Sequence, residues 1–160
     1  MVIFIAGSLG SGKSTTAKEL KKLIKKSIIL EPDVIRSFIK EIPIDKAVPV
    51  ILEAMLCVIK IFYKKGFTII VPYPLSKQNF LYLNANLRNT KKHFFVLNPR
   101  MEKISNGRGK RKLSDGEIKR IKHHYEIGIN NPSFGINIDN SFRTPKEVAR
   151  EILKNLKNSS

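Results

Sequence analysis

Val2-Ile3-Phe4-Ile5-Ala6 runs without a gap into Gly7-Ser8-Leu9-Gly10-Ser11-Gly12-Lys13-Ser14. The first stretch is apolar, of strand length, and rich in β-branched and aromatic side chains. The second satisfies the spacing G-x-x-x-x-G-K-[ST] in full. Its glycines let the backbone fold so that successive N–H groups point inward at an anion. Helical period then carries from Lys13 to about Lys26, so the loop opens onto the positive end of a helix. Strand, loop and helix in that order specify a cradle for nucleotide phosphates. Gly7, Leu9, Gly10, Ser11, Gly12, Lys13, Ser14 and Thr15 would surround them. Lys13 is placed to reach the β- and γ-phosphates, and the Ser14 hydroxyl to ligate Mg²⁺, so ATP·Mg²⁺ is the expected ligand.

Outward from this loop, Val/Ile/Phe-rich runs alternate with segments of helical period, which predicts an α/β domain with a mostly parallel sheet. Strands are expected at 27–30, 67–71, 93–97 and 134–139. Helices are expected over 33–40, 48–65, 76–88 and 114–127, and from Pro145 to near the end, with a short one near Arg100. Asp33 is expected to cap its helix. Ser114 with Glu117, and Thr144 with Glu147, read as capping boxes. In the 48–65 helix, Glu53, Lys60 and Lys64 share one narrow stripe and nearly every other position is apolar. It reads as buried on most sides, with a homodimer surface as the alternative, and Cys57 as a core residue on it. No repeat or linker interrupts residues 1–160, which read as a single domain.

The loop after the second strand, Glu31-Pro32-Asp33-Val34-Ile35-Arg36, spaces an acid and an arginine three residues apart on a new helical turn. In a doubly wound sheet it lies beside the γ-phosphate. Asp33 there either takes the proton of an acceptor hydroxyl, orients Mg²⁺ through water, or simply caps the helix. Arg36 either holds an anionic acceptor group, steadies the charge that develops during transfer, or lies on the surface. With Tyr73, Pro74 and Lys77 these residues outline an acceptor pocket, Tyr73 reading equally as core packing. A third feature is Arg108-Gly109-Lys110-Arg111, a basic loop between two helices. Arg108 and Arg111 would neutralise charge during transfer, and closure of the loop would exclude water. Arg120, further along the next helix, can reach the same nucleotide. His123 and His124 read as surface residues.

These motifs resemble the small kinases of the nucleoside-monophosphate-kinase-like P-loop group, nearest the adenylylsulfate kinase, chloramphenicol phosphotransferase, zeta-toxin and polynucleotide kinase branch. The stretch Pro132-Ser133-Phe134-Gly135-Ile136-Asn137-Ile138-Asp139-Asn140-Ser141, running into Thr144-Pro145, is similar to the group's last strand and adenine-side loop. The resemblance covers nearly the whole length. It implies a three-layer P-loop fold, a five-stranded parallel sheet in the order 2-3-1-4-5, helices on both faces and an arginine-bearing lid at about 100–128. It also implies Arg143 and Pro145 near the adenine, and Asp33 as base or Mg²⁺ organiser. One departure is the third strand's end, Val71-Pro72-Tyr73, which carries no acid. Adenylylsulfate kinases look similar there, leaving Mg²⁺ to Ser14, Asp33 and water. The extra acid and glycine of shikimate kinases are missing after the second strand.

Composition narrows the setting. Apolar residues make up 42% of the chain, as in a globular protein. No apolar run is long enough for a membrane span, and residues 1–5 lack the basic start of a secretion signal. The single cysteine, Cys57, and the absence of zinc-type spacing fit a reducing cytoplasm. The net charge of +17 suits anionic ligands, nucleic acid among them, or reflects lysines that simply solvate the surface. The leading expectation is an ATP-dependent kinase acting on a hydroxyl of a small-molecule acceptor. A polynucleotide or nucleoside 5′-kinase is the second, and a nucleotide-dependent switch or binding module with weak hydrolysis is the reading from another class.

Overall fold

The computed structural model describes residues 1–105 and 113–158. Arg108, Gly109, Lys110 and Arg111, expected to form the lid, lie outside the described residues. The elements run β1 (Val2–Gly7), α1 (Lys13–Leu23), β2 (Ser27–Ile29), α2 (Pro32–Phe38), α3 (Ile44–Lys64), β3 (Thr68–Pro72) and α4 (Lys77–Asn86). They continue with β4 (Lys92–Leu97), α5 (Met101–Ser105), α6 (Asp115–Glu126), β5 (Ile136–Ile138) and α7 (Pro145–Asn158).

The five strands form one parallel sheet in the order β2-β3-β1-β4-β5, as expected. β1 is its centre, pairing Val2 with Ile69 on one side and with Lys92 on the other. Alternation along β1 assigns its side chains to two layers. Val2, Phe4 and Ala6 pack against α3 and α4, meeting Ile51, Met55, Ile59 and Leu83. Ile3 and Ile5 face α1 and α7, meeting Ala17, Leu20, Val148 and Ile152. Every β1 residue is buried on both faces, which is why the run is continuously apolar. Because strands and register are fixed this way, all loops leaving the carboxyl ends of β1, β2, β3 and β4 gather at one edge.

Three local expectations are corrected. Asp33 does not cap α2: the helix begins at Pro32, Glu31 occupies the cap position without a side-chain bond, and Asp33 lies in the first turn. The fixed φ of proline suits the first helical position, so Pro32 moves the start upstream. In the same way α3 starts at Ile44, leaving Pro49 inside the helix. Its buried stripe begins at Ala47, and packing that residue draws the start back by a turn. α3 is also not buried on most sides. Ala47, Ile51, Leu52, Met55, Leu56 and Ile59 form its one buried stripe. Val50, Cys57 and Ile61 are exposed among Glu53, Lys60 and Lys64, so Cys57 is a surface thiol rather than a core residue. Among the described residues no helix is long and apolar enough to cross a membrane.

Candidate active site

The β1–α1 loop is shaped by two glycines that no other residue could replace without movement. Gly7 has φ +132°, and a Cβ there would stand 2.5 Å from the Leu97 carbonyl oxygen. Gly10 has φ +75°, and a Cβ would come within 2.6 Å of Ile104 Cγ2 from α5. Ser8 and Ser11 are turned inward and fully buried. The Asn140 side-chain amide, itself buried, donates to the Ser11 carbonyl at 2.9 Å and ties the loop to the segment after β5. Gly12 precedes α1 in the left-handed region, with no side-chain cap on the helix. The first N–H groups of α1 therefore remain open to an anion.

A cleft of about 390 Å³ lies over this loop. Leu9, Gly10, Gly12, Lys13, Ser14 and Thr15 line its floor, Asp33, Pro72 and Pro74 one wall, and Ile104, Leu113, Arg120 and His124 the other. Lys13 Nζ donates to the Ser8 carbonyl at 2.6 Å. Burial pushes the Lys13 ammonium down to about 8; the Asp33 carboxylate opposes this and the Arg120 guanidinium adds to it. Burial likewise raises the Tyr73 phenol, and the Asp33 charge raises it further. Ser14 is exposed at the start of α1, and Asp33 faces the same space.

The remaining candidates are not among the residues that line this cleft. Arg36 is turned onto the α2–α3 connection, where its guanidinium donates to the carbonyls of Ile39, Lys40 and Ile42. Tyr73 is buried in the core under the α3 layer. Lys77 is exposed in the first turn of α4 and is not among the residues lining the cleft. Arg143 pairs with Glu151 of α7, and Pro145 opens that helix.

His124 is a correction and a site residue that the sequence reading missed. It is 6% exposed, lines the cleft, and accepts the Leu9 backbone N–H on Nδ1 at 3.3 Å. Burial, reinforced by the nearby Arg120, Lys13 and His123 side chains, pushes its imidazole down to about 4. The available signal was spacing: Ile118, Ile121 and His124 repeat every third residue along one face of α6, and the last two are buried. Its neighbour His123 is exposed, as expected.

The first 48 residues match the family model of the zeta toxins. No curated protein sequence matches the chain. Among solved structures, the adenylylsulfate (APS) kinase of Mycobacterium tuberculosis, in complex with AMPPNP and APS, superposes with a TM-score of 0.74 at 18% identity, covering 98% of this chain and 96% of that one. A sugar kinase from Janibacter gives 0.74 and 18%, with coverage of 98% and 94%. The shikimate kinase of Aquifex aeolicus gives 0.61 and 18%, with coverage of 99% and 98%. The chain therefore has the fold of the P-loop kinase group over nearly its whole length, with the zeta-toxin match confined to its first 48 residues.

Proposed function

We propose that this protein is an ATP-dependent kinase that transfers the γ-phosphoryl group to a hydroxyl of a small molecule. The observation that carries the reading is the convergence of Lys13, Asp33 and Arg120 on one cleft over a complete phosphate loop. They come from three different elements, as positioning and charge neutralisation of a transferring phosphoryl group require. A switch needs the loop but not an acid and an arginine facing it.

In this reading the α1 N–H groups and Lys13 hold the nucleotide phosphates. Lys13 leaves the Ser8 carbonyl to do so. Asp33 receives the proton of the acceptor hydroxyl, and Arg120 steadies the charge that develops on the phosphoryl oxygens. The donor set suits Mg²⁺: one hydroxyl on Ser14 and one carboxylate on Asp33, which with phosphate oxygens and water is how this ion is usually held. Its chemistry there is to neutralise the phosphates. Arg36 is committed to three carbonyls, so the wall beside Asp33 offers Pro72 and Pro74 rather than a cation. That favours an acceptor whose reacting end is a neutral alcohol. A reducing, cytoplasmic setting belongs to the same reading.

The test is ATP consumption against a panel of nucleosides, sugars, adenylylsulfate, other alcohols and 5′-hydroxyl oligonucleotides, with products read by mass. One acceptor gaining one phosphate is expected. Lys13→Ala should abolish that product without lowering the thermal midpoint, since it removes a desolvated ammonium; full activity in the variant would sink the assignment.

A further inference from the structure

The far end of the His124 ring has no task in the mechanism above. Its Nδ1 accepts the Leu9 N–H at 3.3 Å. A neutral imidazole that accepts on Nδ1 carries its proton on Nε2, so this contact fixes the tautomer. Nε2 donates to no protein acceptor among the described residues, and it is not one of the buried side-chain atoms left without a partner. The N–H therefore opens on the cleft that His124 lines. There it shares the space with Lys13 of the loop, Asp33 of α2 and Arg120 of its own helix, while α5 contributes the apolar Ile104.

We infer that His124 is a substrate-contacting residue: a neutral imidazole, clasped by the Leu9 N–H, whose Nε2–H donates to the terminal phosphoryl group of the bound nucleotide. The inference rests on the kinase reading for which group is transferred, but the contact itself needs only a bound triphosphate. Protonation would turn Nδ1 into a donor against the Leu9 N–H and add a charge beside Lys13, Arg120 and His123. The depressed imidazole pKa of about 4, due first to burial, agrees with a ring that stays neutral. In the transfer step the acceptor oxygen bonds to the γ-phosphorus and the bridging P–O bond breaks. ADP leaves with that electron pair, and the acceptor proton passes to Asp33. His124 keeps its proton throughout and contributes a fixed donor aimed at the oxygens where charge accumulates.

His124→Asn leaves an acceptor oxygen where Nδ1 stands but removes the donor at the far end; His124→Gln does the reverse. The measurement is affinity for AMPPNP relative to ADP, without acceptor, by calorimetry. His124→Asn should keep the thermal midpoint and ADP affinity but lose about tenfold of its preference for the triphosphate, the scale of a hydrogen bond to a charged group. His124→Gln should recover part of that preference and of kcat. An unchanged preference in His124→Asn overturns the inference. Should neither variant fold, the unsubstituted protein still decides: the His124 Nε2 resonance should shift on AMPPNP and not on ADP, and equal shifts overturn it. A protein that phosphorylates no acceptor would count against the kinase reading while leaving this ratio readable.

Discussion

Lys13 carries two burdens that a bound triphosphate would relieve together. Its ammonium is desolvated within the loop, and its hydrogen bond goes to the Ser8 carbonyl, a weaker partner than a phosphate. With its pKa near 8, against an ordinary lysine value of 10.5, the folded chain holds fewer protons than the unfolded chain between those values. The sign follows: unfolding free energy rises with pH through that window, because the cost of a buried ammonium disappears. Nucleotide binding runs the other way, since phosphates favour the ammonium. At pH 8 binding should take up about half a proton, and affinity should fall as pH rises further. Calorimetry in buffers of different ionisation enthalpy reads the uptake directly. Lys13→Arg, which cannot deprotonate, should show none, and zero uptake in the unsubstituted protein at pH 8.5 would contradict the placement. This residue was legible from spacing alone, as were the glycines, because a phosphate cradle is a local backbone device. His124 and Asn140 were not, since each serves the loop from more than a hundred positions away along the chain. Arg36 shows the opposite failure: its place in the sequence suggested an acceptor anion, but its guanidinium folds back onto three carbonyls just past the end of α2.

Two helices begin with the same device and stand to lose different things by it. Ser114 and Glu117 close a capping box on α6, and Thr144 and Glu147 close one on α7. Removing either hydroxyl costs about 1 kcal/mol of helix stability. α7 buries Val148, Ala149, Ile152 and Leu156 against α1 and the sheet, so its loss is shared by the whole fold. α6 buries only Ile121 and His124 and places Arg120 in the cleft. Thr144→Ala should therefore lower the thermal midpoint by about 2–4 °C with kcat unchanged. Ser114→Ala should leave the midpoint within about 1 °C and reduce kcat severalfold, because local fraying displaces Arg120 and His124, the two α6 side chains in the cleft that we propose meet the phosphates. Equal midpoint losses with unchanged kcat in both would show that α6 is only a structural helix. Both boxes were readable because each closes within four residues. The start of α3 was not, because the burial of Ala47, a tertiary event, outweighed the local preference for proline in a first turn.

At the scale of the molecule, the parallel sheet sets three lysine pairs apart from the chemistry. Helices in this topology end at the amino edge of the strands they feed, and the chain places lysine pairs there. Lys25-Lys26 precede β2, Lys64-Lys65 precede β3, and Lys91-Lys92 stand at the start of β4. No Asp or Glu occurs between Glu53 and Glu102 to balance the last two pairs. The phosphate loop, Asp33 and Arg120 gather at the opposite, carboxyl edge, where β1 ends. Net charge alone left a nucleic-acid acceptor open, but topology puts these pairs where an acceptor entering the cleft would not meet them. Steering by a distant charge is screened beyond about 8 Å at physiological salt. The acceptor's kcat/KM, measured at saturating ATP, should thus change less than about threefold between 50 and 200 mM salt. A polynucleotide end held through six or more phosphates would instead lose about a thousandfold in affinity over that range. A steep slope with a 5′-hydroxyl oligonucleotide as the best acceptor would move the reading to a polynucleotide kinase, and charge-reversing Lys25, Lys26, Lys64 and Lys65 would then show whether the strand tracks around to the amino edge. A flat slope, unchanged by those substitutions, leaves the lysine pairs outside catalysis and the cleft to a small molecule.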